Sequence, residues 1–486
     1  MKRFGYRFLA ASSVACVAVW AVAAARPHYG GTLRVEVRAR VSSLDPAEWP
    51  DVAEAEAILK LRELIYDRLV RLDQSGRSQP ALALSWQHDA QNKTWLFRLR
   101  PAVKWQDGSP LTPQDVVSSL AGLLPGGQMR VPTPVSGIAP EVALGNPGAD
   151  TVEIDLSEPR PDLLTALATE PALVIRRPVI PSADALPVGT GPFRLTAWEA
   201  GRRAVLEAYE DYWGGRTYLD GIEVQMGRSS RDQLLDLELD KADMVELDPS
   251  EARRAQQEGK KTWSSAPVEL LSLRFDLNKT AVQDQRLREA VANSIDRAAI
   301  QKVLLQNYGD ATSSIFPKWL SGYSFLFPTG MGLDRARQLT AEIGTPPTLK
   351  LGYDPNDALA RQTAERIAVN AREVGITMQV ASLPQGWRRM PDTGTDLHVE
   401  RTRIDGPTLD AAFHQAASRL GFPMEGGVDG PEQAYGVERK FLDALGEVPL
   451  VYAPELVGVG PRVKDWSPLP WGVWQLENVW LETEKP

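Results

Sequence analysis

Residues Leu349–Ala381 read LKLGYDPNDALARQTAERIAVNAREVGITMQVA. Leu349–Tyr353 is a short strand. Asp357 is placed to cap a helix whose apolar positions, Leu359, Ile367 and Val374, return to one face. Gly375 stops that helix, and the following Ile-Thr-Met-Gln-Val-Ala forms a second strand. A strand, a helix of about 17 residues and a strand make a βαβ unit, and such units are normally parallel and right-handed. This part of the chain is therefore α/β.

A second stretch tests a competing chemistry. Leu186–Gly215 reads LPVGTGPFRLTAWEAGRRAVLEAYEDYWGG, and its Gly189-Thr190-Gly191 suggests a phosphate loop. Such a loop needs a helix directly after the glycines, so that its free amides face the anion. Here Phe193, Leu195 and Ala197 alternate with polar residues, and Val205 and Leu206 return after a turn at Glu199-Ala200-Gly201. That pattern is a hairpin, so the glycines mark a bend and nucleotide binding is not expected.

Working outward, Leu33, Val35 and Val37 alternate with charged residues as in a half-buried strand. Ile58, Leu61, Ile65 and Leu69 give Glu54–Leu69 a helical apolar face. Trp95, Phe97 and Leu99 belong to a hairpin. Thr112, Pro113 and Asp115 have the order of N-cap, first helical residue and capping-box acid. Residues 125–150 are rich in Gly and Pro and read as irregular, Thr151–Pro159 is a strand, and another strand lies near Ile222–Gln225. Glu269–Asn278 alternates as a strand. An amphipathic helix runs from Arg286 through Leu287, Val291, Ile295, Ala298 and Leu305, and Gly322–Pro328 is a loop with exposed aromatics.

The length of 486 residues and the 43% apolar content suffice for a large core divided among more than one body. Lys2, Arg3 and Arg7 precede an apolar run, Phe8–Ala25, that ends in Ala23-Ala24-Ala25. This is the pattern of an export signal cut after Ala25, with a retained membrane anchor as the alternative. Its loss moves the formal charge from −9 to −12. That acidity disfavours nucleic acid and anionic membrane as partners. The only cysteine, Cys16, lies inside the run, and Ser13 stands where a lipoprotein signal would have an aliphatic residue. The exported part has no disulfide and no thiol chemistry.

Six segments together resemble the peptide/nickel-type extracellular solute-binding proteins of ABC importers, solute-binding family 5. They are GGTLRVEV with SSLDP, LIYDRLVRLDQSGRSQPALALSW, WLFRLRPAVKWQDGSPLTPQDVVSSL, the hairpin stretch from Gly189, LRFDLN with VQDQRLREAVANSIDR, and EVGITMQV. They stand in the family's order from Gly30 to about Val380. The resemblance implies a two-lobed, class II periplasmic-binding-protein-like α/β fold with an extra inserted subdomain. After the signal, 1–25, lobe I is then 26–48 plus 188–267 plus 449–486. The inserted subdomain is 49–187 and lobe II is 268–448. The glycines at 189 and 191 fall where the chain re-enters lobe I from the insert.

The resemblance implies a monomeric protein that captures a peptide-like or other small solute and delivers it to ABC permease and ATPase subunits. It would act in the periplasm or outside the cell. Peptide binders of the family carry a Trp-rich segment with an acidic residue that pairs the ligand's amino group. Here the region reads DLHVERTRIDGPTLDAAF, without tryptophan, and Asp405 is the nearest acid. The 79 residues after Pro407 are also few for the family. If the region is a strand, Arg401, Arg403 and Asp405 share one face and could present paired charges to a ligand. Trp387 follows the second strand of the βαβ unit, where the family places a ligand-facing aromatic and α/β sheets bind ligands. Tyr452, in the returning segment near the hinge, is a further candidate, and Ser42 could bond a ligand through its backbone or hydroxyl.

No catalytic set stands out. There is no Gly-x-Ser-x-Gly and no His-Glu-x-x-His, and the four histidines form no helix-spaced pair. No metal or cofactor is expected. A secreted glycosidase-like hydrolase with paired carboxylates is the enzyme alternative. A relative of the same fold that senses or scaffolds without transport is the other.

Overall fold

The structure, a computed structural model, describes residues 27–45, 52–124, 127–132, 150–170, 172–177, 186–384, 386–390, 392–422, 430–472 and 474–482. The export signal and Cys16 lie outside the described residues, as does much of 125–150. Among the described residues, no helix is long and apolar enough to cross a membrane.

The principal sheet has eleven strands, here β1–β11 in chain order. They are β1 Thr32–Glu36, β2 Phe193–Glu199, β3 Arg203–Ala208, β4 Gly221–Gln225, β5 Met244–Glu246 and β6 Lys261–Phe275. The others are β7 Asp310–Ala311, β8 Leu349–Tyr353, β9 Met378–Ser382, β10 Leu397–Arg403 and β11 Glu447–Val459. Their spatial order is β9-β8-β10-β6-β11-β5-β1-β4-β3-β2, with β7 paired to β11. Both lobes thus share one continuous sheet. The βαβ unit forms as its periodicity predicts: β8 and β9 pair in parallel from Leu349↔Met378 to Tyr353↔Ser382. The intervening helix, Ala358–Glu373, has Asp357 as its N-cap, accepting from the Ala360 amide at 3.0 Å.

The strand expected over Glu269–Asn278 is longer and begins earlier, at Lys261. Strands β6 and β11 pair antiparallel along most of their length. Their register shifts between Ser264 and Glu269, where Pro267 faces Pro454. Neither proline has an N–H for the ladder, so the pairing is interrupted where the lobes meet. The amphipathic helix expected from Arg286 onward stops at Ser294. Ile295 turns to extended backbone, and Asp296 begins a new turn by accepting from the Ala299 amide at 2.9 Å. Side-chain capping there competes with continuation of the helix.

Among the described residues the apolar side chains gather into six clusters, three of them large. One holds Leu33, Ile222, Phe193 and Val459. A second holds Leu271, Ile367 and Leu397. The third, with Phe97, Trp105 and Leu120, sits under a four-stranded antiparallel sheet of the insert. One strand of that sheet, Gly127–Arg130, falls in the stretch read as irregular.

The glycines of the hairpin stretch join the insert to lobe I. A Cβ at Gly189 would stand 2.0 Å from the Ile65 carbonyl oxygen, and one at Gly191 would stand 2.7 Å from it. Gln106 locks this joint. Its Nε2 donates to the carbonyls of Ile65, Gly191 and Phe193, and its Oε1 accepts from the Gly189 amide at 3.1 Å. Close backbone contact is what excludes side chains here.

Candidate functional site

Helix α1, Val52–Ile65, turns its apolar residues into the lobe I core. Glu56, Lys60, Glu63 and Asp67, spaced four, three and four apart, therefore share another side of the same run. All four line a cavity of 190 Å³. Strand β10 and the segment after it contribute Arg403, Asp405, Gln415 and Arg419. A C-terminal strap, 469–477, closes it with Leu469, Trp471 and Trp474.

The far wall is an ion network that joins α1, β10, β11 and the strap. Arg403 Nε donates to Asp405 at 2.6 Å, and its Nη1 stands 3.4 Å from Glu56 and 3.7 Å from Glu455. Its Nη2 donates to the carbonyl of Trp471 in the strap. Lys60 bonds to Glu56 at 2.5 Å and also pairs with Glu455 on β11. Burial opposes the Lys60 charge, yet Glu455 and Glu56 hold its pKa above the ordinary range. Burial also opposes the charge on Glu56, but Lys60 and Arg403 hold that carboxyl well below its ordinary value. Burial and the adjacent Glu56 push Glu455 up. Asp405 receives a further bond from Gln415 at 2.8 Å. Gly472 packs against the network, since a Cβ there would lie 2.4 Å from both Arg403 Nη2 and Glu455 Oε2.

The opposite wall differs. Asp67 accepts only neutral donors, Trp213 Nε1 at 2.7 Å and Tyr212 Oη at 3.4 Å. Burial pushes its carboxyl up to about 7. Glu63 has no ion pair among the described residues, and burial pushes it up to about 7 as well.

The sequence candidates separate. Arg403 and Asp405 line the cavity. Arg401 lies in a smaller cavity of 30 Å³ beside the crossing strands, paired with Glu269 at 3.0 Å and Asp357 at 2.9 Å. Trp387 packs edge-to-face on His398, ring centres 4.7 Å apart, and lines neither cavity. His398 alternates with Arg401 and Arg403 along β10, so Trp387 stands on the other face of that strand. Tyr452 is fully buried in an aromatic core with Phe316 and Phe413, donating its hydroxyl to the Ile315 carbonyl. Ser42 is exposed, donates to Glu54 at 3.1 Å and lines neither cavity. Sequence reasoning missed Glu56, Lys60, Glu63 and Asp67, although their spacing was visible. It also missed the strap tryptophans, which carry no periodic signal.

Three carboxylate or imidazole side chains, Asp162, Asp410 and His414, cluster at intermediate burial. Asp162 is already held by Arg160 through both oxygens, at 3.2 and 2.5 Å.

Residues 77–422 match the family described as bacterial extracellular solute-binding proteins, family 5 middle. The dipeptide-binding protein of Escherichia coli K12 is 24% identical over 368 residues, covering 66% of each chain, so the match takes in just under two thirds of that protein. NikA of Staphylococcus aureus, solved with Ni(L-His)2, superposes with a TM-score of 0.76 at 19% identity. That superposition covers 93% of this chain and all of NikA. DppA of Helicobacter pylori, solved with the peptide STSA, gives 0.76 at 20% identity over 94% of this chain and 99% of its own.

Proposed function

The chain belongs to the bacterial extracellular solute-binding proteins of family 5, and from that premise we propose that it captures a small solute between its lobes and releases it unaltered. The observation that carries this reading is the 190 Å³ cavity, walled by α1 on one side, by β10 and its continuation on the other, and by the strap. The pairing of the strands that join the lobes breaks opposite two prolines, which gives the lobes a place to hinge. Contacts to a guest that exist only when both walls meet shift the population toward the closed form. ABC permease and ATPase subunits would then receive the guest on the outer side of the membrane. The division into lobe I, insert and lobe II at 49, 188, 268 and 449 belongs to the same proposal, with helix α1 going to lobe I, because its apolar residues pack with Leu33 and Phe193 and not with the core of the insert. A monomer exported by residues 1–25 is proposed with it. No bond is made or broken in this function.

The test is mass spectrometry of the small molecules released when the purified protein is denatured. The expected result is one guest in about equimolar amount, bound again by the refolded protein and unchanged after incubation. Conversion of the guest to a product would replace this reading with an enzymatic one.

A further inference from the structure

We propose, on the solute-binding reading above, that the cavity selects a small organic cation bearing an oxygen acceptor, with Glu63 as its counter-ion. The charges facing the cavity divide into two groups. Lys60 and Arg403 are committed to Glu56, Glu455 and Asp405, and Arg419 donates to the Arg403 carbonyl beside Asp405. That group pairs three cations with three carboxyl groups, of which burial and Glu56 hold Glu455 up to about 8. What remains is Glu63, Asp67 and Glu477 against Arg68 and the exposed Arg71. Arg68 donates to the Glu170 carbonyl at 2.6 Å. Neither Glu63 nor Glu477 has an ion-pair partner among the described residues, and Asp67 is held by ring N–H and hydroxyl donors. With Glu63 and Asp67 ionised, above about pH 7, this end of the cavity holds three carboxylates against two guanidiniums, a surplus of negative charge.

The rings agree with the charge. Tyr212 and Trp213 line the cavity from lobe I, and Trp471 and Trp474 line it from the strap. Aromatic faces attract ammonium groups, most strongly when both are withdrawn from water; Arg100 already stands 4.4 Å from the Trp213 ring centre and Lys60 5.1 Å from that of Trp474, which leaves Tyr212 and Trp471 for a guest. Trp474 is 4% exposed, and its Nε1 has no acceptor among the described residues. A buried indole N–H without a partner calls for an oxygen on the guest. A cavity of about 150 Å³ holds a benzene molecule, so 190 Å³ suits a guest of about eight non-hydrogen atoms.

The sign of the pH dependence separates a cation from an anion. Burial raises Glu63, Arg68 and Arg403 oppose the rise, and Glu477 and Asp405 add to it. A cation binds the ionised carboxylates, so its affinity climbs as pH rises through about 7. An anionic guest would tighten in the other direction.

The experiment is titration calorimetry of the purified protein with choline, ethanolamine, glycerol and succinate, at pH 6 and pH 8. We expect choline or ethanolamine to bind about tenfold more tightly at pH 8 than at pH 6. Glu63→Gln should lose at least tenfold in affinity and most of that pH dependence, with its unfolding midpoint recording that it still folds. Trp474→Phe should weaken binding severalfold, as the indole N–H is lost with the ring kept. Should none of the four bind, a released native guest with a basic nitrogen still supports the inference, and one without it overturns the inference. Preferred binding of succinate or glycerol, or an unaffected Glu63→Gln, overturns it while leaving solute capture intact. No binding and no released guest would remove both.

Discussion

At the scale of single residues, Arg403 holds the two lobes and the strap together. Its three nitrogens reach Asp405, Trp471, Glu56 and Glu455, which belong to four separate segments. Removing a buried ion's partner leaves the remaining charge uncompensated, which costs about 3–5 kcal/mol. Arg403→Met should therefore lower the free energy of unfolding by about that amount in urea denaturation. Arg403→Lys should recover only part of it, because a single ammonium cannot serve the separate directions of the guanidinium. An unchanged midpoint for Arg403→Met would mean that the network is effectively solvated. The same residue shows what sequence reading can reach. Alternation along Leu397–Arg403 put Arg401, Arg403 and Asp405 on one face, and the structure sends Arg401 and Arg403 to neighbouring cavities. Trp387 was placed by analogy with strand ends. Strand ends say where a loop emerges and not which way its side chain turns, and Trp387 turned onto His398.

At the scale of elements, the βαβ unit and the hairpin after Gly191 were legible because periodicity and turn residues act over a few positions. The charged stripe of α1 was equally periodic, yet charged stripes are ordinarily solvated faces. Only the approach of β10 and the strap buries this one. The bulged crossing of β6 and β11 was illegible for a similar reason, since no local signal pairs Pro267 with Pro454 across the sequence. A distinct prediction concerns the helix Pro431–Asp443 in lobe II. Its Glu438 is fully buried, accepting from the Ser314 hydroxyl at 2.7 Å and from the Ile315 amide. Burial pushes its carboxyl up to about 7 from an ordinary 4.5, with these bonds opposing the rise. The folded state thus binds the proton more tightly than the unfolded chain. The stabilisation is fully present below 4.5 and is lost as pH rises through about 7. The free energy of unfolding should fall between pH 5 and pH 8 by an amount on the order of 1–3 kcal/mol from this group, and the melting temperature with it. Glu438→Gln, which stays neutral, should flatten that part of the profile. An identical slope in the variant would assign the pH dependence to other carboxyls.

At the scale of the whole molecule, one eleven-stranded sheet passes through both lobes, and the charges on α1, β10 and the strap meet only when the lobes are together. The network gives the closed form favourable pairs of its own. A guest then needs to add only its contacts with the Glu63 wall and the rings to move the population further. The account's central claim is that guest occupancy and lobe closure are one equilibrium. Small-angle X-ray scattering tests it most directly, on protein freed of its guest by denaturation and refolding and then resupplied with the recovered guest. The account predicts a smaller radius of gyration on resupply, reversing when the guest is dialysed away. Saturating occupancy with a superimposable scattering curve would contradict it.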